Sequence, residues 1–207
     1  EGKYFGEILA INISYSRGLS NNGIHMLDLI YYLFDDLQCR IIWVENKKNI
    51  ENPSFILETK FGLKIFYSQG PINWDTGRRI WEAKKLLDKE FLLLYSDNFS
   101  IFDLKTIEEF HKKNNLSLTL TVVPKKPGNI LLSKNGIVKK YNNKKRPKNF
   151  GHVEIGYMLV NKNKVFKEFN KPDCNFSIII KKLSLKKQVS AIIKKGVDTI
   201  IHCAINS

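Results

Sequence analysis

The sequence contains one apolar run that closes on a carboxylate, and this run limits the folds open to the chain. Phe91 to Tyr95 are all apolar, and Ser96, Asp97 and Asn98 follow directly. Such a run predicts a parallel strand covered on both faces. Open α/β sheets bind ligands at the carboxyl ends of strands, and Mg²⁺ on phosphates needs one or two carboxylates. Asp97 is therefore a candidate metal ligand, the alternative being a turn or helix N-cap aspartate.

The composition is that of a globular protein with a substantial core. The 207 residues are 43% hydrophobic and 12% aromatic, which allows one or two domains. No apolar run approaches the roughly 18 residues needed to cross a membrane, and no signal-peptide pattern opens the chain. The three cysteines are scattered and odd in number, which favours a reducing cytoplasm. The chain opens on Glu1 rather than Met, as a fragment would.

The net charge of +14 raises the question of nucleic-acid binding. The densest basic runs are Lys139 to Lys148 and Lys181 to Lys195. The lysine pairs of the second run make no continuous helical stripe, and aromatic residues do not interleave with the lysines as a stacking platform requires. The pattern therefore argues against nucleic acid and favours a solvated basic surface or a site for an anionic small molecule.

Strand and helix patterns alternate along most of the chain. The periodicity predicts strands over 7–15, 40–44, 91–95, 116–123, 153–160 and 189–193 and helices over 26–34, 79–87, 104–113 and 176–183. Asn135-Gly136 marks a hairpin. From Phe55 to Tyr67 the odd positions are mostly apolar, which predicts one long strand or two strands broken at Gly62. This succession argues for an α/β fold with a mixed central sheet flanked by helices and an N-terminal α+β segment.

Several segments match one enzyme family in the order and at the spacing that the family uses. They are FGLKIFYSQGP, WDTGRRIWEAKKLL, FLLLYSDNF, PKKPGNI, VKKY, VEIGYMLVNK and NFSIIIKKLS. Residues from about 61 to 193 thereby resemble the sugar-1-phosphate nucleotidyltransferases, especially the branch that activates hexoses and heptoses for surface polysaccharides. Such enzymes join a nucleoside triphosphate and a sugar 1-phosphate to give a nucleotide sugar and pyrophosphate.

The resemblance implies a role for four residues. Asp97 matches the aspartate that holds Mg²⁺ against the phosphates. Gly128 matches a glycine whose backbone approaches the sugar, which the absence of a Cβ permits. Lys144 falls where a lysine contacts the sugar phosphate, and Glu154 where sugar hydroxyls are bound. The alternatives without a ligand are a solvated loop lysine for Lys144 and a surface strand position for Glu154.

The chain also departs from the family pattern. It reads Asn143-Lys144-Lys145 where the family often has Glu-Lys-Pro, so Lys145 is the alternative phosphate contact. The glycine-rich G-x-G-T-R-L loop that wraps the triphosphate is absent from the sequence, and Asp198 does not match the context of the second metal-binding aspartate. We therefore expect a nucleotidyltransferase-like chain with little or no turnover by itself.

The two ends of the chain resemble other families. The stretch GEILAINISYSRGLSNNGIHMLDLIYYLF, residues 6–34, resembles the C-terminal substrate domain of the Gfo/Idh/MocA oxidoreductases. In that family a G-x-H-x-x-D segment, here Gly23 to Asp28, would place His25 near the substrate. Their dinucleotide fingerprint and Lys-Pro motif are missing, which favours a structural role for His25. GVDTIIHCA, residues 196–204, resembles a strand of extended short-chain dehydrogenases, the alternative being an ordinary buried strand.

These resemblances set the expected organisation and function. We expect a Gfo/Idh/MocA-like segment over 1–60, a partial nucleotidyltransferase-like domain over 61–195 and a short strand-like tail over 196–207, with one continuous strand running through residues 61 and 62. The expected partners are a sugar phosphate or nucleotide sugar, with Mg²⁺ and an oligomer also expected. The alternatives to the nucleotidyltransferase are a non-catalytic assembly or binding module of the same pathway and an oxidoreductase remnant.

Overall fold

The chain folds into two compact units in a computed structural model. The first comprises residues 1–74 and 82–86, and the second comprises residues 75–81 and 87–207. The structure describes residues 10–15, 27, 30–31, 38–45, 53–95, 98–100, 103–194 and 201–202. The predictions for His25, Asp97 and Asp198 fall outside these residues. Both units hold mixed sheets flanked by helices, which confirms the predicted α/β class.

The first unit is built on a four-stranded sheet of order β1-β4-β3-β2. The strands are β1 (Ala10–Tyr15), β2 (Cys39–Val44), β3 (Phe55–Thr59) and β4 (Lys64–Gln69). β1 is parallel to β4, and the remaining pairs are antiparallel. The core of this unit consists of Ile13, Tyr15, Ile30, Phe55, Leu57, Ile65 and Tyr67. Alternate residues of the strands supply this core, as their period of two requires.

The continuous strand predicted through residues 61 and 62 is wrong, and the alternative of two strands is confirmed. β3 and β4 form an antiparallel hairpin whose turn contains Gly62 at a φ of +82°. The Gly62 N–H donates to the carbonyl of Thr59 at 2.9 Å. Apolar alternation is the same in one strand as in two strands of a hairpin, so the pattern could not separate them. The boundary predicted between residues 60 and 61 falls in this turn, within the first unit.

Strand β2 forms one edge of this sheet and exposes apolar side chains. All six of its residues are exposed, among them Ile41 at 63% and Trp43 at 48%. An edge strand with exposed apolar residues can pair with another strand unless charge or geometry prevents it. This edge is therefore the feature of the first unit that most favours association.

The second unit contains a six-stranded sheet of order β11-β7-β10-β8-β9, with β5 also paired to β10. Its strands are β5 (Glu90–Leu94), β7 (Leu118–Pro124), β8 (Ile130–Leu132), β9 (Val138–Tyr141), β10 (His152–Asn161) and β11 (Val189–Ile193). β7 and β11 are parallel, whereas β10 is antiparallel to both β5 and β7. A separate pair joins β6 (Asn98–Phe99) to β12 (Ile201–His202).

Helices cover both faces of this sheet. They are α1 (Thr76–Glu82), α2 (Leu104–Asn114), α3 (Lys162–Phe166) and α4 (Phe176–Leu185), and a 3₁₀ turn (Ala83–Lys85) follows α1. On one face, apolar residues of α4 pack with Leu118, Leu120 and Val122 of β7. On the other face, His111 of α2 contacts Thr119 of β7. None of the helices in the described part of the chain is long and apolar enough to cross a membrane.

The prediction that residues 91–95 form a parallel strand covered on both faces is wrong. β5 is antiparallel to β10, its partner, and Phe91 to Tyr95 are only half-buried. An apolar run reports that a strand packs against a core but not the direction of its neighbour, so the sequence could not decide this point. The strands predicted at 116–123, 153–160 and 189–193 and the hairpin at Asn135-Gly136 are confirmed.

A buried polar cluster lies between α2 and the sheet. His111 Nδ1 lies 2.7 Å from Thr119 Oγ1, which in turn lies 2.8 Å from Ser190 Oγ. All three residues are at most 3% exposed. Burial lowers the pKa of His111, and Glu90 opposes this only partly. The neutral imidazole is therefore the form that the folded chain holds.

We expect the contribution of His111 to the free energy of unfolding to fall as the pH drops below 6.5, because the unfolded chain takes up a proton that buried His111 resists. His111→Gln keeps a neutral hydrogen-bonding side chain, so it should flatten this acid loss at a cost of about 1 kcal/mol near neutral pH. Urea unfolding of both proteins on either side of pH 6.5 measures the effect. Equal acid losses in the two proteins would contradict it.

Candidate functional site

Three strands of the second unit end at the same edge of the sheet. Because β10 is antiparallel to both β5 and β7, and β7 is parallel to β11, the strands β5, β7 and β11 share one direction. Their carboxyl ends therefore meet the amino end of β10, which starts at His152. Such an edge is where open α/β sheets bind ligands. We call it the carboxyl edge.

Glu154 lies at this edge, and only one of its two carboxylate oxygens has a hydrogen-bond partner among the described residues. The Tyr141 hydroxyl donates to Glu154 Oε1 at 3.1 Å. Glu154 Oε2 is shielded from solvent and has no hydrogen-bond partner among the described residues. Burial raises the pKa of Glu154 to about 7, although the Tyr141 hydrogen bond opposes the shift. A buried acceptor without a partner is costly, so this oxygen is suited to a ligand that brings a donor.

Tyr141 and a bulge in β10 shape the surroundings of Glu154. Burial, with the charge of Glu154 second, raises the pKa of Tyr141, so that the phenol stays a hydrogen-bond donor at neutral pH. A bulge in β10 between Glu154 and Met158 contains Gly156, whose φ is +77°. A Cβ there would lie 2.9 Å from Cβ of Tyr95. The bulge therefore brings Tyr95 close to the β10 backbone beside the carboxylate.

Gly128 packs directly against the backbone of His152. A Cβ on Gly128 would lie 2.3 Å from the His152 carbonyl oxygen and 2.6 Å from its nitrogen. The Gly128 N–H donates to Phe150 O at 2.9 Å, and the Asn129 N–H donates to His152 O at 2.9 Å. Only glycine fits this approach of two backbones. The structure thus gives Gly128 a packing role, and its predicted contact with a sugar stays a prediction.

Two further buried polar atoms accompany Glu154 in this part of the sheet. Asn129 Oδ1 and His152 Nδ1 are buried, and neither has a hydrogen-bond partner within the described ranges. Burial lowers the pKa of His152, which keeps its imidazole neutral and one ring nitrogen able to accept. His152 and Glu154 are two residues apart on one strand and so share a face of the sheet. Together these atoms favour a polyhydroxyl ligand, because each hydroxyl can both donate and accept a hydrogen bond.

Basic residues are dense in the stretch of sequence that carries these polar atoms. Residues 110–153 contain eleven lysine and arginine residues and no aspartate or glutamate. Lys144 and Lys145 are exposed on the loop after β9, where their N–H groups both donate to Asn142 Oδ1 at 3.0 Å. The Asn142 N–H donates to Asn129 O, and this bond ties the loop to the carboxyl edge. The geometry does not separate Lys144 from Lys145 as a phosphate contact.

The structure locates three of the four site residues predicted from the sequence, and their contacts with a ligand stay predictions. Gly128 and Glu154 come together at the carboxyl edge, and Lys144 lies on a loop bonded to it. Asp97 lies outside the described residues, and within them no group of three histidine, cysteine, aspartate or glutamate side chains could hold a metal ion. Tyr141, His152 and Asn129 were missed because their roles depend on strand pairing. Only the hairpin signal at Asn135-Gly136 hinted that β9 returns to this edge.

Comparison with known proteins identifies the fold. No protein-family model and no curated protein sequence matches the chain. HddC from Yersinia pseudotuberculosis is similar in structure, with a TM-score of 0.56 at 14% identity over 90% of this chain and 70% of that chain. The same protein complexed with GMP-PN gives a TM-score of 0.54 at 14% identity, over 90% and 69% of the two chains.

A third solved structure agrees with these two. It is described as a glucose-1-phosphate thymidylyltransferase from Bacillus anthracis in complex with a sucrose. Its TM-score is 0.55 at 13% identity, over 66% of this chain and 59% of that chain. The chain therefore has a nucleotidyltransferase-like fold.

Proposed function

We propose that this chain binds a sugar 1-phosphate as a nucleotidyltransferase-like protein of nucleotide-sugar and surface-polysaccharide biosynthesis. The observation that carries the proposal is Glu154, whose buried Oε2 lacks a partner among the described residues at the carboxyl edge. A sugar hydroxyl that donates to this oxygen would remove the cost of leaving it unfilled. The nucleotidyltransferase-like fold and the ligands of its neighbours, GMP-PN and a sucrose, are consistent with this class of ligand.

Each proposed role follows from the chemistry of its residue. Glu154 accepts hydrogen bonds from the sugar, and Tyr141 fixes the orientation of its carboxylate. Gly128 lets the loop before β8 pack against the backbone of His152, and the sugar contact proposed for it would be made by its own backbone. Lys144, or Lys145 beside it, neutralises the sugar phosphate as a mobile point charge. In the family that the sequence resembles, the nucleophile is the sugar phosphate itself, so these residues act by positioning and charge neutralisation.

Asp97 is proposed as the residue that would hold Mg²⁺. A bound Mg²⁺ would neutralise charge on the nucleotide phosphates. We expect little turnover from this chain alone, since its sequence has no glycine-rich loop to wrap the triphosphate.

Isothermal titration calorimetry of the chain with a panel of sugar 1-phosphates tests binding. We expect Glu154→Gln to weaken binding of the preferred sugar phosphate by roughly tenfold or more, since hydrogen bonds to charged groups are the strong ones. A parallel assay with each nucleoside triphosphate and Mg²⁺ measures pyrophosphate release. Robust release that Asp97→Ala abolishes would overturn the expected inactivity. Failure of every sugar phosphate to bind would reject the proposed function.

One observation favours the alternative, a non-catalytic assembly module. Strand β2 presents exposed apolar residues along the edge of its sheet, and such an edge can accept a strand from a second copy of the chain. Self-association in size-exclusion chromatography that Ile41→Lys abolishes would support this alternative. A sharply monomeric chain that binds sugar 1-phosphate would count against it.

A further inference from the structure

Lys194 follows β11 at the carboxyl edge and is held by a serine. Its N–H donates to Val122 O at 2.9 Å, which continues the pairing of β11 with β7. Its ammonium Nζ donates to Ser100 Oγ at 2.5 Å. Ser100 is 3% exposed, and its own N–H donates to the Tyr157 hydroxyl at 2.8 Å. The side chain of Lys194 is therefore fixed by a buried partner rather than free in solvent.

The ammonium of Lys194 has unused capacity to donate. A lysine ammonium carries three N–H donors, and the bond to Ser100 uses one of them. Across the described part of the chain, no carboxylate lies within ion-pair distance of Lys194. A half-buried cation with no counter-charge among the described residues is suited to an anion that approaches it. These features favour an anion with several acceptor oxygens.

Lys194 also lies across β7 from the acceptor side of the site. It bonds to Val122, and Val122 is the β7 partner of Glu154. Adjacent strands lie about 4.8 Å apart, so the backbones of Lys194 and Glu154 are roughly 10 Å apart along the edge. Ser100 bonds to Tyr157, which packs with Val123 on the α2 side of the sheet, whereas Glu154 pairs with Val122 on the opposite face. A ligand that lies over the edge would meet a cation at one end and acceptors at the other.

We propose that Lys194, oriented by Ser100, is a phosphate-binding residue of the carboxyl edge. It shares the phosphate of a phosphorylated sugar with the contact proposed for Lys144 or Lys145, and free inorganic phosphate presents the same chemistry. The lysines of the loop after β9 are exposed and must lose side-chain freedom to bind. Ser100 has already restricted Lys194, so less entropy is lost when phosphate binds. The phosphate role is independent of the proposed sugar ligand, whereas the choice of a sugar phosphate rests on it.

Binding of inorganic phosphate to the full chain tests this assignment. We expect Lys194→Met to weaken phosphate binding by about tenfold in calorimetry, since a charge-assisted hydrogen bond is lost. Lys134→Met is the matched control, because Lys134 is exposed in the turn between β8 and β9 and the change removes the same charge. Lys134→Met should bind phosphate as the parent chain does. Equal weakening in both variants would overturn the assignment, because it would mark a general effect of net charge.

Ser100→Ala gives a second measurement that keeps the charge. It removes the acceptor that orients the ammonium, so we expect a loss of phosphate affinity smaller than that of Lys194→Met. Thermal unfolding of both variants controls for folding, and Lys194→Gln replaces Lys194→Met if the latter does not fold. Phosphate affinity that is unchanged in both Ser100→Ala and the Lys194 variant would reject the proposal.

Two further probes separate this inference from the proposed function. A methyl glucoside reports on the sugar alone, and glucose 1-phosphate reports on both groups. Sugar binding that depends on Glu154, with phosphate binding indifferent to Lys194, would leave the proposed function and remove the inference. Phosphate binding that depends on Lys194, with no affinity for either sugar probe, would reject the proposed function and leave the role of Lys194 standing. If Lys194→Met lost binding of glucose 1-phosphate but kept binding of methyl glucoside, the result would support both the proposed function and the role of Lys194.

Discussion

Glu154→Gln is expected to stabilise the fold while it weakens the site. The pKa of Glu154 is raised from 4.5 to about 7, so the folded chain binds a proton more tightly than the unfolded chain. The stability that this proton confers is complete below pH 4.5 and is lost as the pH rises through 7. The shift corresponds to roughly 3 kcal/mol. Glutamine is permanently neutral, so above neutral pH the variant should exceed the parent by up to about this amount.

Urea unfolding of both proteins at acid and at mildly alkaline pH measures this difference. The gain should vanish near pH 4.5, where the parent carboxyl is protonated. Glu168→Gln is the control, because its carboxylate accepts from Lys186 Nζ at 2.7 Å and gains from being charged. That change should lower stability by up to about 1 kcal/mol. A Glu154→Gln protein no more stable than the parent at alkaline pH would contradict the burial of an unpaired carboxylate.

The same substitution separates stability from binding. Ligand hydroxyls that donate to Glu154 Oε2 favour the ionised carboxylate, so the parent should bind sugar phosphate more tightly as the pH rises through 7. Glutamine presents an N–H at one of the two oxygen positions and cannot accept at both. The variant should therefore bind weakly at every pH. A variant that kept the affinity of the parent and its pH dependence would exclude Glu154 from the site.

Gly128→Ala is expected to cause the other large effect. The new Cβ would lie 2.3 Å from one backbone atom of His152 and 2.6 Å from another. Neither is the end of a flexible side chain, so the loop must move away from β10. Overpacking of this kind costs about 1–3 kcal/mol, and we expect the upper end, with loss of the bond from Asn129 N–H to His152 O. Urea unfolding should show the loss, and binding at the carboxyl edge should fall with it.

Gly151→Ala is the matched control for this prediction. Gly151 lies next to His152 in sequence, yet the nearest atom to a Cβ there is Lys126 Cε at 3.8 Å, an ordinary contact. Alanine at this position should change stability by no more than about 0.5 kcal/mol. A Gly128→Ala protein as stable as Gly151→Ala would show that the two backbones do not approach as closely as described.

Local sequence patterns predicted most of the helices and strands, but the direction and partners of the strands depend on pairing between distant segments. The amphipathic spacing of residues 104–113 predicted α2, and the apolar run at 116–123 predicted β7. Neither pattern could reveal that β5 is antiparallel to β10, because burial does not depend on the direction of a neighbour. The hairpin at Gly62 was ambiguous for a related reason, since a turn does not interrupt apolar alternation.

The site shows the same division between local and long-range information. Resemblance to a family pointed to Gly128, Lys144 and Glu154 by position in the sequence. The partner of Glu154 is Tyr141, and the contact depends on β9 returning beside β8 and on β8 pairing with β10. Lys194 and Ser100 are 94 positions apart, and only the tertiary fold brings them into contact. Contacts across such distances leave no trace in the spacing of residues along the chain.

The residues around Glu154 at the carboxyl edge share a property that concerns how such a site arises. Gly128, Asn129, Tyr141, His152 and Glu154 all come from one uninterrupted stretch, residues 128–154, which consists of a hairpin and the strand after it. Contacts of short sequence separation form early and need little loop closure. This half of the site can therefore assemble before the sheet is complete. A stretch of this kind can also be inherited or transplanted as a block, with its recognition chemistry intact.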